Sequence, residues 1–296
     1  MNTDPIQPTA DERTSVVEKK ATCPFIGSAV AQDALPIRND ANDPLAGIED
    51  VRRLGNTGGG NLGDLLVFFA SGNHAFTRGA SGKLDAAVPL GFFSLDFPGS
   101  QGSHPGHSGI LQGDPESLNS GRFSQADFDR LINLATDGFL KRSDVGRFIA
   151  ENLIRDPKSK VLDHRTVALL AGDLVHIVES GFGFIGDLIK PNQADSHRDL
   201  EEKLTKLGGE DNLVGSSGEF GLLFAFFAHK PGSKTVAGEP ALDIRDHKTM
   251  FVAKRLPEGW ETWKKSRIDW VTNTTGLLIS AANEYRKLKG TLRAGV

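Results

Sequence analysis

The sequence predicts a mainly α-helical protein that forms one helical domain, residues 23–296, after a flexible tail, residues 1–22. Two observations predict this class. Apolar residues recur at helical spacing in nearly all periodic segments, and alternating strand patterns joined by tight Asn-Gly or Asp-Gly turns are hard to find. A third observation sets residues 72–122 apart, because they are rich in Gly, Ser, His and Pro. An irregular segment of that length is more often functional than idle, so we expect it to wrap a large ligand.

The helical segments are recognised by their apolar spacing and, at two of them, by a capping residue. Ser124 precedes an apolar-periodic run with Asp127 three residues later, and Ser143 opens another such run. The predicted helices cover residues 62–70, 125–135, 144–154, 165–178, 196–207, 218–229, 244–256 and 274–288.

Charge and composition exclude several classes of protein. Lys and Arg number 34 against 38 Asp and Glu, a net charge of −4, which gives no reason to expect nucleic acid or an anionic membrane as partner. The single cysteine rules out an internal disulfide. The polar N-terminal tail lacks the apolar core of a secretory signal, and the longest apolar stretch, 220–228, is too short to span a membrane. The sequence therefore predicts a cytoplasmic protein.

Gly58–Gly63 has the G-x-G-x-x-G spacing of dinucleotide sites. Such a site needs a hydrophobic strand before the glycines, so that the turn presents its amides to a pyrophosphate. Here residues 49–57 are typical of a helix followed by a turn. We therefore interpret the glycines as a flexible helix entry.

Three other sets of residues could carry chemistry. His104 and His107 lie close together in the Gly-rich segment, but two imidazoles alone do not make a metal site, so local hydrogen bonding is the favoured interpretation. Asp173 and His176 are neighbours on a predicted helix. They would form a general acid–base pair if they face a cavity, although a solvated pair is commoner. Cys23 is either a small buried apolar residue or a thiolate ligand, and spacing does not choose between them.

At both ends the chain resembles the fungal haem-thiolate peroxidases, the family of chloroperoxidases and unspecific peroxygenases. Cys23-Pro24 followed by Leu35-Pro36 and then Arg38 is similar to the segment that carries the family's haem cysteine. Residues 251–260, FVAKRLPEGW, resemble the Arg-Leu-Pro-x-Gly-Trp segment near the family's C-terminus.

The middle of the chain resembles the family in two further places. Gln112, Gly113 and Ser117 fall where the family holds a cation against a haem propionate. Arg165 falls where peroxygenases place an arginine that steadies the reaction charge, and the family's catalytic Glu corresponds to Gly172 beside Asp173.

The resemblance implies one haem b, ligated by the Cys23 thiolate beside Pro24, and Mg²⁺ or another cation near a propionate. It implies hydrogen peroxide as oxidant and a small apolar or phenolic substrate. Asp173 is then the expected acid–base residue with His176 as its substitute, unless Gly172 holds that position and His104 or His107 moves the proton. Two alternatives stay open: a haem-binding protein of the same fold without peroxygenase activity, and a haem-free helical binding protein.

Overall fold

Helices make up most of the described structure, which confirms the mainly α-helical class. The structure is a computed structural model that describes residues 9–19, 24–38, 44–67, 76–78, 84–86, 92–95, 124–155 and 213–294. The helices are α1 (Ala10–Lys19), α2 (Pro24–Ala31), α3 (Ile48–Gly55), α4 (Gln125–Ile132), α5 (Arg142–Arg155), α6 (Leu213–Phe227), α7 (Ile244–Phe251) and α8 (Arg267–Ala294). In the described part of the chain, no helix is both long and apolar enough to cross a membrane.

Short antiparallel strands accompany the helices. They are β1 (Ile37–Arg38), β2 (Leu45–Gly47), β3 (Phe76–Arg78), β4 (Leu84–Ala86), β5 (Phe92–Ser94), β6 (Phe139–Lys141), β7 (Lys234–Val236) and β8 (Glu239–Asp243). They pair in the orders β1-β2-β5, β3-β4 and β6-β8-β7. Strands β3, β4 and β5 lie within the Gly-rich segment, 72–122, which the sequence predicted to be irregular, and most of that segment lies outside the described residues.

Helix α1 lies within the segment that the sequence predicted to be a flexible tail. Thr9 and Glu12 cap its start reciprocally: the Thr9 N–H donates to the Glu12 carboxylate at 2.7 Å, and the Glu12 N–H donates to the Thr9 hydroxyl at 3.2 Å. This arrangement is a capping box, which satisfies two backbone donors that a helix start otherwise leaves open. This capping box was not recognised in the sequence, because prolines and charges of both signs in the tail favoured the interpretation as flexible chain.

The predicted start of α4 is confirmed. Ser124 has extended backbone, and its hydroxyl accepts from the Asp127 N–H at 3.3 Å. Helices also form in the regions predicted around 144–154, 218–229, 244–256 and 274–288, with shifted ends, and residues 63–67 of the predicted helix 62–70 are helical. The last of them, α8, is much longer than predicted, whereas the predicted helices 165–178 and 196–207 lie outside the described residues.

Two tight hairpin turns correct the expectation that such turns are hard to find. Asp137-Gly138 and Ala237-Gly238 both have positive φ at each residue, 52° and 82° in the first pair and 53° and 81° in the second. Two successive positive φ values define the type I′ turn, which matches the twist of a hairpin. The strands beside these turns have at most five residues, too short to show an alternating pattern.

Helices α5, α6 and α8 form the central helical layer, and glycines allow their close approach. A Cβ at Gly146 of α5 would overlap the Ser280 side chain of α8, and a Cβ at Gly221 of α6 would overlap the Thr274 hydroxyl of α8. The indole N–H of Trp270 donates to the Gly218 carbonyl oxygen at 3.0 Å. As a result, α8 holds α6 at a fixed rotation about its axis.

The loop with G-x-G-x-x-G spacing follows helix α3, as predicted, and not a strand. A Cβ at Gly58, whose φ is 68°, would overlap the carbonyl group of Trp263, and one at Gly60 would overlap the carbonyl oxygen of Lys265. The Asn61 N–H also donates to the Lys265 carbonyl oxygen at 2.8 Å. These glycines are therefore a packed contact rather than the flexible entry that the sequence predicted.

Candidate functional site

The two segments that carry the family resemblance most specifically meet in the structure. The Ser28 hydroxyl of α2 donates to the Met250 carbonyl oxygen at 3.4 Å. The Gln32 Oε1, one residue after α2, accepts from the Leu256 N–H at 2.6 Å. The partners of both bonds are more than 220 residues apart in the chain. Helix α2, which begins at the residue after Cys23, is therefore held against segment 251–260.

An aromatic cluster lies at this junction and consists of Phe25, Phe226, Phe227, Trp260 and Trp263. The Phe25 ring meets the Phe226 ring edge-on at 5.0 Å and the Trp260 ring edge-on at 6.0 Å between centroids. Phe226 stacks on Trp260 at 6.4 Å and meets Phe227 at 5.1 Å and Trp263 at 5.9 Å. Edge-to-face and stacked contacts of this kind stabilise a fixed arrangement beyond their area of burial. Phe25 is thus surrounded by aromatic rings.

Lys265 adds a buried amine to the aromatic cluster. Its side chain is 0% exposed, and its Nζ donates to the carbonyl oxygens of Trp260 and Trp263, each at 2.8 Å. The same Nζ lies 5.2 Å from the Phe226 ring and 5.4 Å from the Trp260 ring. Burial lowers the pKa of Lys265 to about 8, although the Glu261 carboxylate acts in the opposite direction. Lys265 therefore fixes the turn at residues 260–262. Because its pKa is lowered, its ammonium group loses its proton more readily than that of an exposed lysine.

One face of helix α6 joins the aromatic cluster to a buried carboxylate. Glu219 is 4% exposed and Ser216 is 0% exposed. Positions 216, 219, 223 and 226 lie on one side of a helix, and residues seven apart are about 10 Å apart along its axis. This face therefore begins with Ser216 and Glu219, continues through Leu223, and ends at Phe226 in the aromatic cluster. We call it the Glu219 face.

His247 of α7 is a second ionisable group enclosed by rings. It is 1% exposed and stacks on Phe251 at 5.8 Å and on Phe227 at 6.4 Å between ring centroids. Burial lowers its pKa to about 4, while the Asp243 backbone and charge act in the opposite direction. A neutral imidazole at this position serves as a flat packing surface.

Of the residues that the sequence proposed for the site, the structure describes Pro24. It is the first residue of α2 and is buried. The others lie outside the described residues: Cys23, His104, His107, Gln112, Gly113, Ser117, Arg165, Asp173 and His176. Their roles stay predictions. Among the described residues, no group of three or more His, Cys, Asp or Glu could hold a metal ion.

Comparison with known proteins adds no independent identification. No family model, no curated protein and no solved structure matches this chain. The assignment of function therefore depends on the residues themselves.

Glu219 and Lys265 are two buried ionisable residues of the candidate site that the sequence analysis did not single out. The signal for Glu219 was present, because it is the one charged residue in the fifteen of α6, LVGSSGEFGLLFAFF. Carboxylates are almost never fully buried unless they are paired, so a carboxylate in an otherwise uncharged helix is a candidate for a specific interaction. Lys265 had no such signal, because it is one of two adjacent lysines in a polar stretch and only the tertiary fold buries it.

Proposed function

We propose that the protein is a haem-thiolate peroxidase or peroxygenase that uses hydrogen peroxide to oxidise or oxygenate a small apolar or phenolic substrate. The observation that carries the proposal is the Glu219 face. It places a buried carboxylate on the same side of α6 as Phe226, and Phe226 contacts the residue that follows Cys23-Pro24. A peroxidase needs a protein ligand for its cofactor and an acid–base group within one apolar enclosure. In this proposal Cys23 is the ligand and Glu219 is the acid–base group.

The described residues around Pro24 fit an apolar cofactor. Pro24 and Phe25 are buried, and the rings of the aromatic cluster pack next to Phe25. In this proposal Cys23 supplies the thiolate ligand of haem b, and Gln112, Gly113 and Ser117 hold a cation such as Mg²⁺ at a propionate. When bound, the haem supplies the redox chemistry that activates peroxide, and a thiolate ligand favours cleavage of the O–O bond.

In the proposed reaction, the role of the protein's own side chains is to transfer one proton. Peroxide activation needs a group that accepts a proton from one oxygen and returns it to the other, within hydrogen-bond reach of both. Glu219 is suited to that task because its side chain is shielded from bulk water. A shielded carboxylate exchanges its proton with a bound reactant rather than with solvent. The apolar residues of α6 supply the enclosure.

Asp173 stays the other candidate for this proton transfer, with His176 beside it and Arg165 stabilising charge. The resemblance places them on the predicted helix 165–178, whereas Glu219 lies on α6. Only one of the two helices can supply the main acid–base group. Single substitutions therefore decide between Asp173 and Glu219.

The discriminating test compares Glu219→Gln with Asp173→Asn in haem-loaded protein. Each change keeps the shape of the side chain and removes its ability to transfer a proton. We expect Glu219→Gln to slow the single-turnover reaction with hydrogen peroxide about 10²-fold, the usual weight of a general acid–base residue. Asp173→Asn should stay near the parent rate. Haem content, measured in each variant, is the control for folding. Equal rates in Glu219→Gln and the parent would return the assignment to Asp173.

A further inference from the structure

We infer that Ser216 and Glu219 form a binding site for one ligand oxygen that carries a hydrogen, the oxygen of water or of a hydroperoxide. As a peroxide site it rests on the proposed function. As a site for an oxygen ligand it rests on the geometry of α6 alone.

The first observation is the Ser216 hydroxyl. The residue is 0% exposed, and within the described part of the chain its Oγ has no hydrogen-bond partner. A serine inside a helix ordinarily satisfies its hydroxyl on the carbonyl one turn earlier. Leaving a buried hydroxyl unsatisfied destabilises the fold, so such groups in folded proteins usually bind a ligand or an ordered water.

The second observation is the spacing of the two side chains. Ser216 and Glu219 are three residues apart on one face of α6, which puts their Cβ atoms about 5–6 Å apart. One oxygen atom can bridge that gap, since each hydrogen bond spans about 2.7–3.0 Å. The bridging oxygen accepts from the Ser216 hydroxyl and donates its own hydrogen to the Glu219 carboxylate. Water and hydroperoxides offer this combination of acceptor and donor.

Ser217 provides a matched control within the same helix. It is also 0% exposed, and its Oγ likewise has no hydrogen-bond partner among the described residues. However, position 217 lies on the side of α6 that carries Gly221, whose neighbour is Thr274 of α8. Ser217→Ala therefore makes the same chemical change as Ser216→Ala, in the same turn, away from the Glu219 face.

The first arm of the test needs no cofactor. The unfolding equilibrium constants of Ser216→Ala, Glu219→Gln and the double variant form a mutant cycle, and a second cycle uses Ser217→Ala. A shared ligand oxygen predicts that the first cycle departs from multiplicative behaviour by about fivefold or more, whereas the Ser217 cycle does not. A multiplicative first cycle would overturn the inference.

The second arm locates the oxygen directly. A crystal structure of the full chain should show a solvent oxygen within 2.6–3.2 Å of both the Ser216 Oγ and the Glu219 carboxylate, the range of a hydrogen bond. That oxygen should disappear in Ser216→Ala and stay in Ser217→Ala. Electron density without an oxygen between the two side chains in the parent protein would also overturn the inference.

The third arm identifies the source of the oxygen in haem-loaded protein. If the site binds hydrogen peroxide, Ser216→Ala raises the KM for peroxide about tenfold and Ser217→Ala leaves it unchanged. An unchanged KM in both, together with an oxygen in the crystal, assigns the site to water. Failure of the haem proposal itself would show in the absence of a thiolate-ligated spectrum, which leaves the cycle and the crystal structure as independent tests.

Discussion

At the scale of single residues, His247 links burial to acid stability. The folded-state pKa of about 4 lies below the ordinary value of 6.5, so the unfolded chain binds a proton more readily than the folded one. The stability from neutral His247 is complete above pH 6.5 and is lost as the pH falls towards 4. The loss amounts to about 3 kcal/mol at most, the equivalent of the pKa difference.

His247→Phe should therefore remove this acid sensitivity, because a phenyl ring keeps the stack with Phe227 and Phe251 and does not titrate. The measurement is the free energy of unfolding in urea between pH 7 and 4, taken as the difference between parent and variant. His229→Gln is the control, since His229 is 45% exposed beside Asp269. A parallel pH dependence in parent and His247→Phe would show that His247 is not the titrating group.

Lys265 is expected to make the stability of the fold depend on pH in the alkaline range. Its folded-state pKa of about 8 lies below the ordinary 10.5, so protonation opposes folding between these values. The stability of the parent should rise from pH 8 towards 10.5 relative to Lys265→Met, which carries no charge. The exposed neighbour Lys264 offers the control Lys264→Met. A rise of the same size in Lys265→Met and the parent would contradict a buried amine.

Neither group could be assigned from the sequence. His247 and Lys265 occur in polar stretches, and their enclosure depends on rings that come from α6, α7 and the turn at 260–262. Burial of an ionisable side chain is a property of tertiary packing, which no local pattern of residues records.

At the scale of elements, the turn at Gly58–Gly60 depends on close backbone contact. A Cβ at Gly60 would overlap the carbonyl oxygen of Lys265, whose position the aromatic cluster fixes. Gly60→Ala should therefore lower the free energy of unfolding by about 2 kcal/mol or more, the cost of forcing atoms into a packed site.

Gly290 of α8 provides the comparison for this prediction. No atom lies within 4 Å of a Cβ added there, and the position is exposed and helical. Gly290→Ala should raise the free energy of unfolding by about 0.5–1 kcal/mol, because alanine favours the helix. Thermal and urea unfolding of both variants measure the contrast. Equal stability in Gly60→Ala and the parent would restore the flexible-loop interpretation.

Elements with a local signal were predictable, and elements without one were not. The Ser124 cap predicted the start of α4 because its partner, Asp127, is only three residues away in the sequence. A capping box of the same local kind starts α1 at Thr9. It was not recognised in the sequence because the surrounding tail contains prolines and charges of both signs. Strands β6 and β8 have no such signal, because their pairing at Leu140 and Leu242 joins residues about a hundred positions apart.

At the scale of the whole molecule, the fold brings together two segments that are far apart in the sequence. Ser28 of α2 is hydrogen-bonded to Met250, and Gln32, one residue after α2, is hydrogen-bonded to Leu256 of segment 251–260. A candidate acid–base residue was harder to choose from the sequence, because the resemblance does not fix the helix register between its two ends. It directed attention to Asp173, and only the burial of Glu219 brought α6 into the candidate site.

The measurement that tests the central claim most directly is the visible absorption spectrum of the reduced protein with carbon monoxide, after haem supplementation. Haem-thiolate ligation predicts the strongly red-shifted Soret band that thiolate-ligated haem shows with carbon monoxide. Cys23→Ala should lose that band while it keeps the helical circular dichroism of the parent, since one thiol contributes little to packing. A parent protein that binds no haem, or a Cys23→Ala variant with an unchanged Soret band, would contradict the account.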